Sequence, residues 1–92
     1  MQFEWDEAKN HLNICKHGID FNDVPSMFQY PMLLARDDRH PYGEERWTAL
    51  GWLHALVGVV VYTERRGDVI RIISARKATR HEARRYDQSI EN

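Results

Sequence analysis

The sequence predicts an α+β protein in which two N-terminal helices precede an antiparallel sheet of about four strands and a C-terminal helix follows it. Two observations predict this class. Residues 6–30 carry helix caps and apolar residues at helical spacing, whereas residues 32–75 contain short runs rich in valine and isoleucine. A chain of 92 residues can bury one core of about two layers, so residues 1–92 are expected to form a single domain.

The first helix is expected to run from Asp6 to His17. Asp6 is a suitable N-cap, and Gly18 stands where a residue in the left-handed conformation commonly closes a helix. The apolar residues of this segment recur at helical spacing and predict its buried face; they are Ala8, Leu12 and Cys15. Cys15 is therefore interpreted as a small buried apolar residue.

Two further helices are expected. The second covers about residues 20–30, with Val24, Met27 and Phe28 on one side, and Pro25 fits it only in its first turn. The last begins at Thr79, because a Thr followed three residues later by a Glu forms a capping box. Ala83 and Tyr86 are expected to face the sheet.

Four strands are expected between the second and the last helix, at residues 32–36, 46–53, 56–63 and 69–75. The dipeptide Gly67-Asp68 predicts a tight hairpin between the last two strands. Alternation in the second strand places Trp47 on the face of Leu53 and Trp52 on the opposite face. Trp52 is therefore the tryptophan expected to face outward.

The basic residues are concentrated near one end of the chain. Residues 1–63 contain five Lys or Arg and nine Asp or Glu, whereas residues 64–92 contain eight basic and five acidic residues. This asymmetry fits either a local phosphate-binding patch or a solvated face balanced by nearby acids. A single cysteine excludes an internal disulfide and suits a reducing compartment. With neither a signal peptide nor an apolar run long enough for a membrane helix, a cytoplasmic protein without a membrane partner is expected.

Three blocks, in order along the chain, carry a family resemblance. They are Phe3-Glu4-Trp5-Asp6 with Lys16-His17-Gly18, then Gly43-Glu44-Glu45-Arg46-Trp47, then Val60-Val61-Tyr62-Thr63-Glu64 with Arg71-Ile72-Ile73-Ser74-Ala75-Arg76 and Thr79, Glu82 and Tyr86. Together they resemble the BrnT family of toxins. The resemblance implies a RelE/ParE-like toxin fold and a ribonuclease that inhibits translation in a type II toxin–antitoxin system.

The same resemblance implies the partners of the chain. A BrnA-like antitoxin is expected to neutralise it, RNA is the expected substrate, and operator DNA is contacted only through the antitoxin. Dimerisation within the toxin–antitoxin complex is left open, and no cofactor is expected. The alternative function is that of a non-catalytic ParE-like poison that binds a cellular protein such as gyrase, because a shared fold does not fix function.

A ribonuclease can work without metal if the 2′-hydroxyl of the RNA attacks the adjacent phosphorus. Arg71 and Arg76 are the candidate charge stabilisers, because one planar guanidinium group can bind two oxygens of a phosphate. Five positions apart in a regular strand, they would point to opposite faces. Either the strand ends before Arg76 and a loop carries it, or only one of them contacts phosphate. Arg71 can equally be a surface residue paired with a carboxylate such as Glu64.

Histidine is the side chain that most readily exchanges a proton near neutral pH, which makes His17 the candidate proton shuttle. Glu64 and Tyr62 share a strand face and are further candidate bases. Lys16, Arg80 and Tyr86 are the candidate substrate-binding residues. For Lys16 and His17 the alternative is a favourable cation at a helix C-terminus, and for Tyr86 it is a place in the core.

No metal site is expected. His11 and Cys15 have a ligand-compatible spacing on the first helix, but the sequence offers no second pair of ligands to complete a site.

Overall fold

The computed structural model describes residues 1–91 and contains one five-stranded sheet with helical segments on both faces. In chain order the elements are β1 (Gln2–Glu4), α1 (Glu7–His17), two short 3₁₀ helices (Phe21–Asp23 and Pro25–Gln29), β2 (Leu33–Arg36), β3 (Trp47–Leu53), β4 (Leu56–Arg65), β5 (Val69–Lys77) and α2 (Arg80–Glu91). The predicted α+β class and C-terminal helix are confirmed. In residues 1–91 no helix has the length and apolar character needed to cross a membrane.

The sheet has five strands in the order β1-β5-β4-β3-β2, so the expectation of about four antiparallel strands is wrong in two respects. β1 is an additional strand, and it pairs parallel to β5, whereas every other neighbouring pair is antiparallel. β1 has only three residues, too few to show an alternating pattern. Its pairing partner lies near the other end of the chain, where no local signal indicates it.

The second predicted helix is replaced by two 3₁₀ turns. Pro25 begins the second of them, and a proline has no backbone N–H to donate to a continuous helical ladder. Val24 and Met27 are nevertheless fully buried, together with Phe21 in the first turn. The apolar side of this segment was therefore predicted from its sequence, although its backbone conformation was not.

The core has two parts, one on each face of the sheet. On the face covered by the 3₁₀ helices it consists of Ile19, Phe21, Val24, Met27, Ala49, Leu53, Val60, Tyr62, Ile70, Ile72 and Ala75. On the face covered by α2 it consists of Leu50, Val57, Val59, Ala78 and Tyr86. The alternation predicted for β3 and the inward position of Tyr86 are confirmed, and Trp52 is 42% exposed on the α2 face.

The helix ends follow the predicted capping. The Asp6 carboxylate accepts hydrogen bonds from two backbone N–H groups of the first turn of α1, and Gly18 closes that helix with a φ of 71°. At α2 the Thr79 hydroxyl accepts from the Glu82 N–H and the Glu82 carboxylate accepts from the Thr79 N–H. These contacts fix where both helices begin, and hence which residues stand at their ends.

The predicted buried face of α1 is wrong. Leu12 is 70% exposed and Cys15 is exposed, whereas Asn10 and Asn13 are buried. The reason is that α1 lies against backbone, whose buried N–H and C=O groups need polar partners. The Asn13 amide donates to the Ala75 C=O (2.8 Å) and accepts from the Ala75 N–H (3.1 Å). The helix thus replaces a neighbouring strand along β5 beyond the end of β1.

A β-bulge interrupts the pairing of β4 and β5. Val61 lies opposite Ser74, and Tyr62 lies opposite Ile72, so Ile73 is an extra residue in β5. Beyond the bulge, the residues of β5 are shifted by one position relative to a regular strand, which exchanges the faces to which their side chains point.

Candidate functional site

The candidate residues separate into two groups along β5. Arg71 lies near the β4–β5 turn, together with Glu64 and Tyr62 of β4. Arg76 lies at the other end of β5 and precedes Arg80, the first residue of α2. At roughly 3.3 Å per residue, about 16 Å of strand separates the two arginines. Arg71 is paired with Glu4 and Arg76 with Glu82, so the two arginines belong to separate ion pairs in this structure.

The bulge places Arg71 and Arg76 on the same face of the sheet. Arg71 lies opposite Thr63 and Arg76 lies opposite Val59, and these two β4 residues share a face because they are four positions apart. β5 continues to Lys77, so Arg76 belongs to the strand and not to the loop after it. The expectation that the strand ends before Arg76 is therefore wrong, and the bulge removes the opposite faces expected of a regular strand. That only one of the two arginines contacts phosphate stays a prediction.

Arg71 belongs to a group of matched charges that we call the hairpin cluster (Glu4, Glu44, Arg65 and Arg71). The Arg71 Nη1 lies 2.7 Å from the Glu4 carboxylate, and Arg65 lies within 4.0 Å of Glu4 and 3.6 Å of Glu44. The carboxylate partner of Arg71 is thus Glu4 of β1 and not Glu64. A cavity of about 800 Å³ beside the cluster is lined by four glutamates and two arginines, a balance unfavourable to phosphate.

Tyr62 and Tyr86 are both core residues. Tyr62 is 3% exposed, and its ring packs edge-on against Phe28 at 5.2 Å. Burial, and to a lesser degree Glu64, raises the pKa of Tyr62. Tyr86 is 1% exposed and its hydroxyl donates to the Pro31 C=O at 2.7 Å. Burial also raises the pKa of Tyr86. In this structure neither hydroxyl is presented to a phosphate, so neither tyrosine is part of the site described below.

Arg76 is held in one orientation by Glu82. Its Nη1 and Nη2 donate to the two carboxylate oxygens at 2.8 and 2.9 Å, and Nη1 also donates to the Lys77 C=O at 3.2 Å. The Arg76 hydrogen bond lowers the pKa of Glu82 to about 2, and the same bond raises the pKa of Arg76. Because Glu82 also caps α2 at Thr79, the guanidinium is fixed relative to the start of that helix.

Three of the five N–H donors of Arg76 are used in these bonds. Glu82 occupies the end of the guanidinium formed by Nη1 and Nη2. Within the described part of the chain, the side edge formed by Nε and Nη2 keeps two N–H donors. A side edge of this kind can bind two oxygens of one phosphate. Arg76 can therefore keep Glu82 and bind an anion at the same time.

The second cationic feature is a groove of about 530 Å³ between α1 and β5. We call it the α1–β5 groove; its lining residues are Lys9, Leu12, Asn13, Cys15, Lys16, His17, Ile73 and Ser74. Its charged or titratable lining residues are two lysines, one histidine and one cysteine, without a carboxylate. The groove thus differs in charge from the hairpin cluster, where each arginine lies close to a glutamate.

Asn13 determines where this groove lies. Its two hydrogen bonds to Ala75 fasten α1 beside the residue that precedes Arg76. Lys16 and His17 follow Asn13 by about one helical turn, or about 5.4 Å along the axis. Both line the groove with Ser74, which lies two positions before Arg76 in β5. The groove therefore meets β5 at Ile73 and Ser74, between Arg71 and Arg76, and the Asn13 hydrogen bonds to Ala75 lie on its Arg76 side.

Sequence reasoning missed Lys9 and Ser74 as groove residues. A signal for Lys9 existed, because residues seven positions apart lie two turns along the same helix face, and Lys16 stands seven positions after Lys9. No local signal marks Ser74, whose place in the groove depends on the contact between α1 and β5.

The described residues contain no group of three or more His, Cys, Asp or Glu side chains arranged to hold a metal ion. Cys15 lies on the exposed side of α1 and is a free thiol.

Comparisons with known proteins agree with the fold. Residues 5–82 match the model of a family described as the ribonuclease toxin BrnT of type II toxin–antitoxin systems. The 1.1 Å crystal structure of the Brucella abortus ribonuclease toxin BrnT superposes with a TM-score of 0.72 and 27% sequence identity, covering 87% of this chain and 99% of that chain. No curated protein sequence matches the chain. The family match spans most of the chain, and the chain therefore belongs to the BrnT family of type II ribonuclease toxins.

Proposed function

We propose that this protein is an endoribonuclease toxin that cleaves RNA without a metal ion, inhibits translation and is neutralised by a BrnA-like antitoxin. The observation that carries the proposal is that two cationic features lie within three residues of each other along β5, one at Arg76 and one at Ile73 and Ser74. These are the free side edge of Arg76 and the neighbouring α1–β5 groove, whose lining includes Lys16 and His17 but no carboxylate. Residues 1–92 are taken as one toxin domain, of which Asn92 lies outside the described residues.

The reaction needs three tasks at one phosphate: removal of the 2′-hydroxyl proton, stabilisation of the charge on the phosphate oxygens, and protonation of the departing 5′-oxygen. The 2′-oxygen forms a bond to phosphorus, the bond from phosphorus to the 5′-oxygen breaks, and the products are a 2′,3′-cyclic phosphate and a 5′-hydroxyl. His17 accepts the proton of the 2′-hydroxyl, and water or the Lys16 ammonium group supplies a proton to the departing 5′-oxygen. Arg76 binds the phosphate oxygens as negative charge accumulates on them, and the exposed Arg80 contacts a neighbouring phosphate.

Arg71 and Glu64 lie outside this proposed site. Arg71 is engaged by Glu4, and Glu64 lines the carboxylate-rich cavity beside the hairpin cluster. A phosphate at Arg76 would therefore be about 16 Å from Arg71 along the strand. We assign the hairpin cluster to the stability of the sheet, where it joins β1 to β5.

The antitoxin is the expected protein partner, because a type II system pairs a toxin with a protein inhibitor. Contact with operator DNA is proposed to occur only through the antitoxin, and dimerisation is left to the assembled complex. The alternative of a non-catalytic poison of a protein such as gyrase is not favoured, since the matched family is described as a ribonuclease toxin.

The test is cleavage of purified RNA by the purified toxin in excess EDTA. We expect the wild type to cut, His17→Ala to be slower by on the order of 10²–10⁴-fold, and His17→Gln to be nearly as slow, because an amide cannot accept the proton. His11→Gln is the matched control, since His11 is exposed on the same helix and does not line the groove.

Three outcomes contradict parts of the proposal. Cleavage that stops in EDTA and returns with added magnesium contradicts metal independence. A His17→Gln variant that cuts at the wild-type rate removes His17 from the proton transfer. If the wild type cuts neither RNA alone nor messenger RNA in a translating extract, the ribonuclease proposal is wrong.

A further inference from the structure

The row of apolar residues along α1 is exposed on the surface of the protein. The helical spacing of Ala8, Leu12 and Cys15 is that of a buried helix face, yet Leu12 is 70% exposed and Cys15 is exposed. Ile14 on the same helix is 38% exposed. Leu12, Cys15 and the half-buried Ile73 are apolar residues that line the α1–β5 groove, and we call these three the floor of the groove. A continuous apolar surface with charged edges is typical of a binding site for another protein.

The charge of the groove specifies the chemistry of that protein. Its basic lining residues are Lys9, Lys16 and His17, which we call its rim, and its lining contains no carboxylate. Another exposed leucine, Leu34 on β2, has different surroundings, because the nearby Arg36 is already paired with Asp38 and Glu45. Of these two exposed apolar surfaces, only the groove therefore offers cations to an incoming carboxylate.

We propose that the α1–β5 groove is the docking surface for an acidic amphipathic segment of the antitoxin. Apolar side chains of the segment pack on Leu12, Cys15 and Ile73, and its carboxylates face Lys9, Lys16 and His17. The identity of the partner rests on the proposed function. A segment seated in this way covers Lys16 and His17, so it silences the toxin by excluding RNA from the catalytic end of β5.

Other occupants use only part of the groove, and RNA is the one that the segment would displace. A phosphate backbone can use the cations of the rim, but it gains nothing from an apolar floor made by Leu12 and Ile73. A second copy of this chain would have to supply an acidic helix, whereas its α2 exposes Arg80, Arg84 and Arg85. An acidic segment with apolar residues on one side matches both the floor and the rim.

The test uses the toxin of residues 1–92 and a purified BrnA-like antitoxin. Leu12→Gln/Cys15→Ser removes the apolar floor without adding charge, and Leu34→Gln is the matched control at the other exposed leucine. Calorimetry should show that the groove variant binds the antitoxin about 10-fold or more weaker, while the Leu34 variant binds like the wild type. Lys9→Gln should slow association at low salt and have less effect at high salt.

The same proteins separate this proposal from the proposed function. The cleavage rate of the groove variant without antitoxin serves as its own reference. With antitoxin, the variant should keep a larger fraction of that rate than the wild type keeps at the same antitoxin concentration. Wild-type affinity of the groove variant, or weaker binding by Leu34→Gln alone, overturns the docking surface even if RNA is cut. Absence of RNA cleavage overturns the proposed function, but the binding measurement still decides the docking surface. Circular dichroism confirms that each variant is folded.

Discussion

The two ends of β5 each carry an arginine paired with a glutamate, but the surroundings of the two pairs differ. At the hairpin cluster, Arg71 and Arg65 are matched by glutamates from β1 and from the loop before β3. At the other end, Arg76 keeps a free side edge despite its bond to Glu82, and the adjacent groove has cations without carboxylates. A basic residue in a strand is therefore informative about phosphate binding only once its carboxylate partners are known.

The difference follows from the elements that meet at each end. β1 supplies Glu4 to the turn end of β5, whereas α1 reaches the other end through the uncharged amide of Asn13. An amide satisfies the backbone of β5 without adding negative charge. The edge of β5 is thus covered by β1 at residues 69–71 and by Asn13 at Ala75, and only β1 brings a carboxylate to that edge.

The largest expected effect is the loss of the link that builds the groove. Asn13→Ala removes hydrogen bonds to the backbone of Ile19 and Ala75 and leaves three buried groups without partners. At about 1–3 kcal/mol for each, the free energy of unfolding should fall by about 3 kcal/mol or more. Urea denaturation measures it. Asn22→Ala, which removes only an exposed bond to Asp20, should cost less than about 1 kcal/mol. Equal losses in the two variants would contradict this role of Asn13.

A smaller effect is expected from acid at the Arg76–Glu82 pair. The pKa of Glu82 is lowered from 4.5 to about 2, so its contribution to stability is complete above pH 4.5 and is lost as the pH falls toward 2. The shift corresponds to at most about 3 kcal/mol. The free energy of unfolding of the wild type should therefore exceed that of Glu82→Gln near neutral pH, and the difference should shrink in acid. A difference that does not change with pH would show that the pair does not control this titration.

The smallest effect is expected at the hairpin cluster. Arg71 and Glu4 are one-third and two-fifths exposed, so their ion pair is partly solvated. A double-mutant cycle with Arg71→Ala and Glu4→Ala should give a coupling free energy of about 0.2–1 kcal/mol. A coupling of several kcal/mol would mean that the cluster fastens β1 to the sheet more strongly than its exposure indicates.

Local signals in the sequence predicted much of the fold. The caps at Asp6 and Thr79, the closing Gly18 and the alternation of β3 were all correct, because each depends on residues close together in the chain. β1 was not predicted because a strand of three residues is too short to show an alternating apolar pattern. The buried face of α1 was wrong because that helix packs on backbone, so asparagines and not leucines are buried there.

The candidate site was harder to predict because its geometry depends on distant contacts. Glu4 pairs with Arg71 although 67 positions separate them in the sequence, and the bulge at Ile73 changes the face on which Arg76 lies. Neither effect has a signature in the residues around these arginines. Tyr62 was a candidate base because its hydroxyl can transfer a proton. It shares a strand face with Glu64, but that face is the core side of β4. Residue type thus suggested the chemistry, while long-range pairing decided which residues can take part.

The most direct test of the account is the salt dependence of RNA binding to the two ends of β5. A 2′-O-methyl RNA cannot be cleaved, so its dissociation constant can be measured by fluorescence anisotropy at several salt concentrations. Lys16→Ala should weaken binding and reduce the slope of log K against log salt by about 0.7, the value for one phosphate contact to a single strand. Arg71→Ala should leave both the affinity and the slope unchanged. A reduced slope for Arg71→Ala together with an unchanged slope for Lys16→Ala would place the RNA at the hairpin cluster and contradict the proposed site.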